Sequence, residues 1–434
     1  MSEHAFDWTV PHTDERTTRR PARPGDDPFY DAPDDLARLV PGAIVRSRQV
    51  RVAFLGLVTQ RRLTAWQLAY RSTDLHGRAE VAVTTVLVPR EHDPKRPQQL
   101  VAYQCAIDAV SDRCFPSYAL RPGARAWGAL PQFELMIIAG LLDKGYVVSL
   151  CDHEGRNGYF AAPREPGYRV LDGIRAATAY PPTGMTRDTP VGLIGYSGGG
   201  MASAWAAEMA RDYAPEIPIV GAVLGSPVGD PGEAFIKLNG GLNAGLPALV
   251  VSGLRHAYPG LGEIVRRHTH ADGIRRLDRL QEMTTVEAVV RYAFDDFDDF
   301  VDPPLADVLA EPEVIEVFDD LRLGVAAPQC PVLVLQSVHD QIIDVADVDG
   351  QVARYVEAGV EVSYVRDRLS EHISLMILGL PTMLTWLERR FQQDPAPVTT
   401  RTRTVTSTAL SPRAWPGFVR MLGAAAKTAT GRAG

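Results

Sequence analysis

At 434 residues the chain has room for two or three domains, or for one large α/β domain carrying an insertion. Hydrophobic residues make up 45% and charged residues 23%, a globular balance that excludes collagen-like, coiled-coil and low-complexity scaffolds. A net charge of −8 offers no broad basic surface for nucleic acid. The longest apolar runs, 134–142 and 246–254, fall short of the roughly 18–20 residues needed to cross a bilayer.

Residues 1–41, rich in Pro, Asp and Arg, are expected to wrap the surface without regular structure. They hold no apolar core of a secretory signal, and Arg19-Arg20 is followed by Pro rather than by an apolar run. Only four cysteines occur: Cys105, Cys114, Cys151 and Cys330. Their spacing fits no zinc pattern, so buried free thiols and a cytoplasmic location are expected.

β-branched stretches then predict strands at 44–57, 80–89, 99–102, 146–151, 191–195, 219–225, 332–337 and 360–365. Helical patterns at 130–144, 167–180 and 198–213 each precede one of them. Such alternation predicts an α/β fold, with a mostly parallel sheet covered by helices on both faces. Residues 42–229 form the first part of this core. From 230 to 323 the strand signal vanishes and the sequence turns helical, which predicts an insertion, and 324–395 complete the core. The tail, 396–434, carries Arg401, Arg403, Arg413, Arg420, Lys427 and Arg432 and no acidic residue. Trp415, Phe418, Val419, Leu422 and Ala426 follow helical spacing opposite Arg420 and Lys427. Two readings stay open: a basic amphipathic helix for peripheral contact with an anionic lipid surface, and a solvated, frayed terminus.

The sharpest chemical signal is Gly195-Tyr196-Ser197-Gly198-Gly199, placed after the apolar strand VGLI and before the helical run MASAWAAEMA. A G-x-S-x-G turn between strand and helix is a nucleophile elbow. It presents the serine at the sheet's end, beside a helix N-terminus that favours a developing oxyanion. A serine hydroxyl needs a histidine base, and the base needs an orienting carboxylate. Asp340 stands in the loop after the strand 332–337, and His372 is the only histidine beyond it. Asp344, Asp347 and Asp349 compete with Asp340 but lie further into the following turn or helix. His268 and His270, two apart on a helix, make a poor metal pair, and His153 reads as a structural loop residue. No metal is predicted. No nucleotide-binding glycine loop stands between a strand and a helix, so no cofactor is implied.

With those residues in hand, the chain resembles the secretory lipase family of α/β-hydrolases. The likeness rests on PGAIVRSRQV (41–50), AWQLAYRSTD (65–74), AYQCAID (102–108), CFPSYAL (114–120), DHEG (152–155), LDGIRA (171–176), the elbow, NGG (239–241), VSGL (251–254), the loop at Asp340 and SEH (370–372). The resemblance implies a Ser197, Asp340, His372 triad and a helical cap built from 230–323. It also implies an oxyanion hole in which the N–H of Gly198 is joined by a donor at Asp108, through either its backbone amide or a protonated carboxyl. A disulfide that a yeast member forms from the Cys114 position to its cap has no counterpart, since no cysteine stands between Cys151 and Cys330. The expected function is a serine carboxylic-ester hydrolase of the lipase type, acting on acylglycerols or related apolar fatty-acyl esters through an acyl-enzyme. Acyl transfer or short-chain ester hydrolysis by the same triad is the alternative, and a non-catalytic lipid carrier the rival from another class. In the cap, Phe235, Leu242, Leu246, Leu249, Leu254, Tyr258 and Leu261 are read as acyl-chain liners or as ordinary core.

Overall fold

The computed structural model describes residues 11–17, 20–90, 93, 97–392, 396–412 and 414–434. Its centre is an eleven-stranded sheet. In chain order the strands are β1 (His12–Asp14), β2 (Ile44–Val50), β5 (Leu63–Thr73), β6 (Ala79–Pro89), β7 (Leu100–Gln104), β8 (Val147–Cys151), β9 (Val191–Tyr196), β10 (Ile219–Gly225), β11 (Val332–Ser337), β12 (Val362–Asp367) and β13 (Arg401–Val405). A separate two-residue pair, β3 (Ala53–Phe54) with β4 (Val58–Thr59), makes a small hairpin. The spatial order is β1-β2-β5-β6-β8-β7-β9-β10-β11-β12-β13. Strands β8 to β13 run parallel, whereas β2, β5, β6 and β8 pair antiparallel at the other end.

Parallel strands covered on both faces must be apolar on both, and these are. In β7, Leu100 and Ala102 join the core on one side while Val101 and Tyr103 join the other; β11 divides Val332 and Val334 from Leu333 and Leu335 in the same way. After a single-turn helix α1 (Pro116–Ala119), helix α2 (Pro131–Leu142) covers one face together with α13 (His372–Leu378) and α14 (Leu380–Arg390). Helices α3 (Glu165–Ala179), α4 (Gly198–Tyr213) and α12 (Val345–Glu357) cover the other. Strands β10 and β11 are adjacent, with Ala222 opposite Val332, although the chain between them builds the helices α5 (Pro231–Leu238) through α11 (Pro312–Leu321).

Several sequence expectations change. The stretch 44–57 is not one strand but β2 followed by half of the hairpin. Strand β5, absent from the predicted set, is the sheet's longest together with β6; its Gln67, Arg71 and Ser72 interrupt the apolar signal. Gln67 is nonetheless buried, with Nε2 donating to Ser117 O at 2.5 Å. Within the first 41 residues β1 pairs with β2, so that segment is not wholly irregular. The tail is not frayed: β13 adds to the sheet beside β12, and α15 (Trp415–Ala429) packs its Gly417 against Pro381 of α14. Arg413 lies outside the described residues. All four cysteines are buried free thiols.

Candidate active site

Ser197 stands between the end of β9 and the start of α4 with φ 55° and ψ −123°, a backbone region that L residues rarely enter. The glycines around it have steric reasons to be there. A Cβ at Gly195 would run into the carbonyl of Gly199, and one at Gly199 into the carbonyl of Gln104. Tyr196, between Gly195 and the serine, turns its ring toward His372: its hydroxyl donates to His372 O at 2.6 Å, and the two ring centres lie 5.4 Å apart.

His372 opens α13. Its Nε2 lies 2.9 Å from Ser197 Oγ, and its Nδ1 lies 2.8 Å from Asp340 Oδ2. Glu371 fixes this helix start by accepting the N–H groups of Ile373 and Ser374, while Ser374 Oγ accepts the N–H of Glu371. Burial tends to raise the Glu371 carboxyl, but those donors and the Gln341 amide outweigh it and hold the group at about 2. Asp340 is held from behind: Oδ1 accepts the N–H groups of Ile342 and Ile343, both at 2.8 Å, and Gln336 Nε2 donates to Oδ2 at 3.2 Å. Of the competing carboxylates, Asp347 lies in the first turn of α12 with its Oδ2 buried and without a hydrogen-bond partner among the described residues, and the other two are occupied elsewhere. Asp344 caps α12, and Asp349 accepts from the Tyr364 hydroxyl.

Asp108 follows β7 with φ 46°, and its side chain lies against the Cα of Gly198, where any Cβ would collide with it. Its own N–H donates to Glu154 Oε1 at 3.0 Å, and the N–H of Ala109 donates to Oε2 of the same carboxyl. The backbone amide of Asp108 is therefore spent. Its Oδ1 is buried without a hydrogen-bond partner, and burial, opposed by the charge of His372, raises the carboxyl to about 7. Of the two groups of Asp108 that the sequence left open, the carboxyl is the one that faces the site. The N–H of Gly198, the first residue of α4, has no acceptor within its helix and stands beside that carboxyl.

The loop carrying Asp108 is pinned from several sides. Glu134 accepts the N–H of Ala106, His153 Nε2 donates to Cys105 O at 2.8 Å, and Thr285 Oγ1 donates to Ile107 O at 2.8 Å. Sequence reasoning did not find Glu134, Glu154 or Thr285 as supports. For Glu154 the only signal was its place in the segment DHEG.

A cavity of about 50 Å³ opens onto Ser197, Gly198 and Asp108, walled by Met201, Val228 and Ile343 and by cap residues of α5 and α6 (Gly245–Ala257). Of the seven apolar cap residues singled out in the sequence, Phe235 and Leu246 line it. Leu249 and Leu254 are buried core, Leu261 packs against the core, Tyr258 donates to Asp320, and Leu242 is exposed. Among the described residues no group of His, Cys, Asp and Glu has the arrangement of a metal site, and no helix is long and apolar enough to cross a membrane.

Known proteins share this architecture. The family model described as secretory lipase matches residues 120–398. A Mycobacterium tuberculosis protein named "Probable inactive lipase" is 51% identical over 97% of this chain and 94% of its own length. Lipase A of Arthroderma benhamiae is 33% identical over 91% of this chain and 85% of its own. The closed-state crystal structure of Candida antarctica lipase A superposes with a TM-score of 0.83 at 26% identity, covering 94% of this chain and 95% of that one.

Proposed function

Because the chain belongs to the secretory lipase family and has the α/β-hydrolase fold, we propose that it is a working serine carboxylic-ester hydrolase acting on apolar acyl esters. One relative carries the name of an inactive lipase, so turnover has to be argued from this chain's own residues. The observation that carries the reading is the unbroken hydrogen-bonded series Ser197, His372, Asp340 at the mouth of an apolar cavity.

Ser197 Oγ attacks the ester carbonyl while His372 Nε2 takes its proton. Asp340, itself fixed by two backbone N–H groups, accepts the Nδ1–H and stabilises the imidazolium. The tetrahedral oxyanion is met by the N–H of Gly198 and by the carboxylic acid of Asp108. His372 passes its proton to the leaving alcohol, and the acyl group remains on Ser197. Water then repeats the sequence in reverse order, leaving the free acid and the original serine.

Ser197→Ala is expected to remove turnover by several orders of magnitude with folding intact, since the triad acts as a unit. Hydrolysis of p-nitrophenyl esters from acetate to stearate by wild type and variant tests this, and retention of a tenth of wild-type activity would sink the assignment. The same series separates the second reading. A cavity of about 50 Å³ favours short acyl chains, and a rate maximum at acetate or butyrate would select it over long-chain lipids. Adding an alcohol acceptor and measuring the ratio of new ester to free acid distinguishes hydrolysis from acyl transfer.

A further inference from the structure

The C-terminal segment builds a face that the catalytic site does not use. Arg401 and Arg403, two apart on the edge strand β13, line a groove together with Arg389 near the end of α14 and the hydroxyl-bearing Thr382, Thr385 and Ser411. Among the described residues no carboxylate pairs with any of these three guanidinium groups. On the other side of α14, Arg420 of α15 lines a second groove and is likewise without an ion pair, whereas its neighbour Lys427 is held by Asp143 at 2.8 Å. Four uncompensated arginines, Arg389 on α14 and three beside it, thus gather around one helix of a chain whose net charge is −8.

Helix α15 is also turned the unusual way. Its buried positions are Gly417, Ala424 and Thr428, while Trp415, Val419 and Leu422 are 65%, 68% and 73% exposed. Spaced by four and three residues, these three form one outward stripe. Phe418 and Met421 are half-buried, Met421 against the core, but leaving Trp, Val and Leu exposed beside buried Gly and Ala opposes the ordinary hydrophobic preference unless something apolar covers the stripe.

We propose that this face, α14 flanked by β13 and α15, docks on an anionic phospholipid surface. The arginines donate hydrogen bonds to lipid phosphates, which they match in charge and geometry. Trp415, Val419 and Leu422 enter the interfacial layer, where an aromatic ring with a polar edge is at home. Gly379 joins α14 directly to α13, whose first residue is His372, so docking brings the lipid surface beside the catalytic helix. The proposal deepens the reading of a lipid-ester substrate, but its test requires no turnover.

The full chain carrying Ser197→Ala is sedimented with phosphatidylcholine vesicles and with a three-to-one mixture of phosphatidylcholine and phosphatidylserine, at low and high salt. Tighter binding to the mixed vesicles, weakened by salt, is expected. Combining Arg401→Gln, Arg403→Gln and Arg420→Gln is expected to weaken it roughly a hundredfold at low salt. Trp415→Ser with Leu422→Ser is expected to weaken it at both salts. In the same background, the far-UV circular dichroism and thermal midpoint of either combination should match those of the parent chain, which separates loss of docking from loss of folding. Equal binding to neutral and anionic vesicles, or unchanged binding by both combinations, would overturn the proposal. So would tighter binding of a single-stranded DNA probe than of vesicles through the same arginines.

Discussion

With its backbone N–H held by Glu154, Asp108 can stabilise an oxyanion only while its carboxyl keeps a proton, and that proton is lost above about 7. For a soluble ester, kcat is therefore expected to fall as pH rises through that value. Asp108→Asn, whose amide donates at every pH, should flatten this alkaline limb; Asp108→Ala should lower kcat by about 10²–10³ at all pH with little change in KM. Profiles of kcat against pH for the three proteins check this, and an alkaline limb that survives in the Asn variant assigns it to another group. The residues at the site differ in how far the sequence reveals them. Ser197, Asp340 and His372 announce themselves because each sits in a turn whose local neighbours are constrained: glycines around the serine, a strand end before the aspartate, a capped helix after the histidine. Glu154 gives no such sign. Its task is to accept two N–H groups from a loop 45 and 46 residues earlier, and only the fold brings them together.

At the scale of elements, α13 matters most to the proposed mechanism, because its first residue is the proposed base and its start is held by the reciprocal bonds of Glu371 and Ser374. Removing such a cap typically costs about 1 kcal/mol. Glu371→Ala is expected to lower the unfolding free energy by about that amount and, by loosening His372, to lower kcat more than it alters KM. Glu371→Gln should retain most of both, since its amide oxygen still accepts. Denaturant titration alongside steady-state kinetics measures the two effects; a stability loss with unchanged kcat would show that packing alone positions His372. The helices α2, α3 and α4 were legible to within two residues, as was β11, because periodicity and apolar runs are local. Strands β5 and β13 were not. One carries polar residues that only their buried partners explain, and the other is an Arg-Thr alternation with no apolar face. The tail sequence does spell a helix, but which stripe faces inward follows from α2 and α14 beside it, against which the buried positions are the small Gly417, Ala424 and Thr428.

Across the whole molecule, burial raises Asp108, Glu134, Asp152 and Glu208 each to about 7. In an unfolded chain such groups titrate near about 4, so between these values the native state binds more protons than the unfolded one. The stability they contribute is complete below about 4 and is lost as pH rises toward 7. The thermal midpoint of the protein is accordingly expected to be higher at pH 5 than at pH 8, measured by calorimetry at constant ionic strength; a higher midpoint at pH 8 would mean that these carboxyls are ionised in the native state. The adjacency of β10 and β11 has a different kind of consequence. Everything between them leaves and re-enters the sheet at one seam, and the cost of closing an inserted loop of about a hundred residues grows by only about 0.6 kcal/mol for each doubling of its length. Ser197 lies before that seam, and Asp340 and His372 lie after it, each fixed by its own strand. The proposed triad and the walls of the cavity before it can therefore diverge separately, one held constant by the sheet while the other is rewritten through insertions, deletions and exchanged helices.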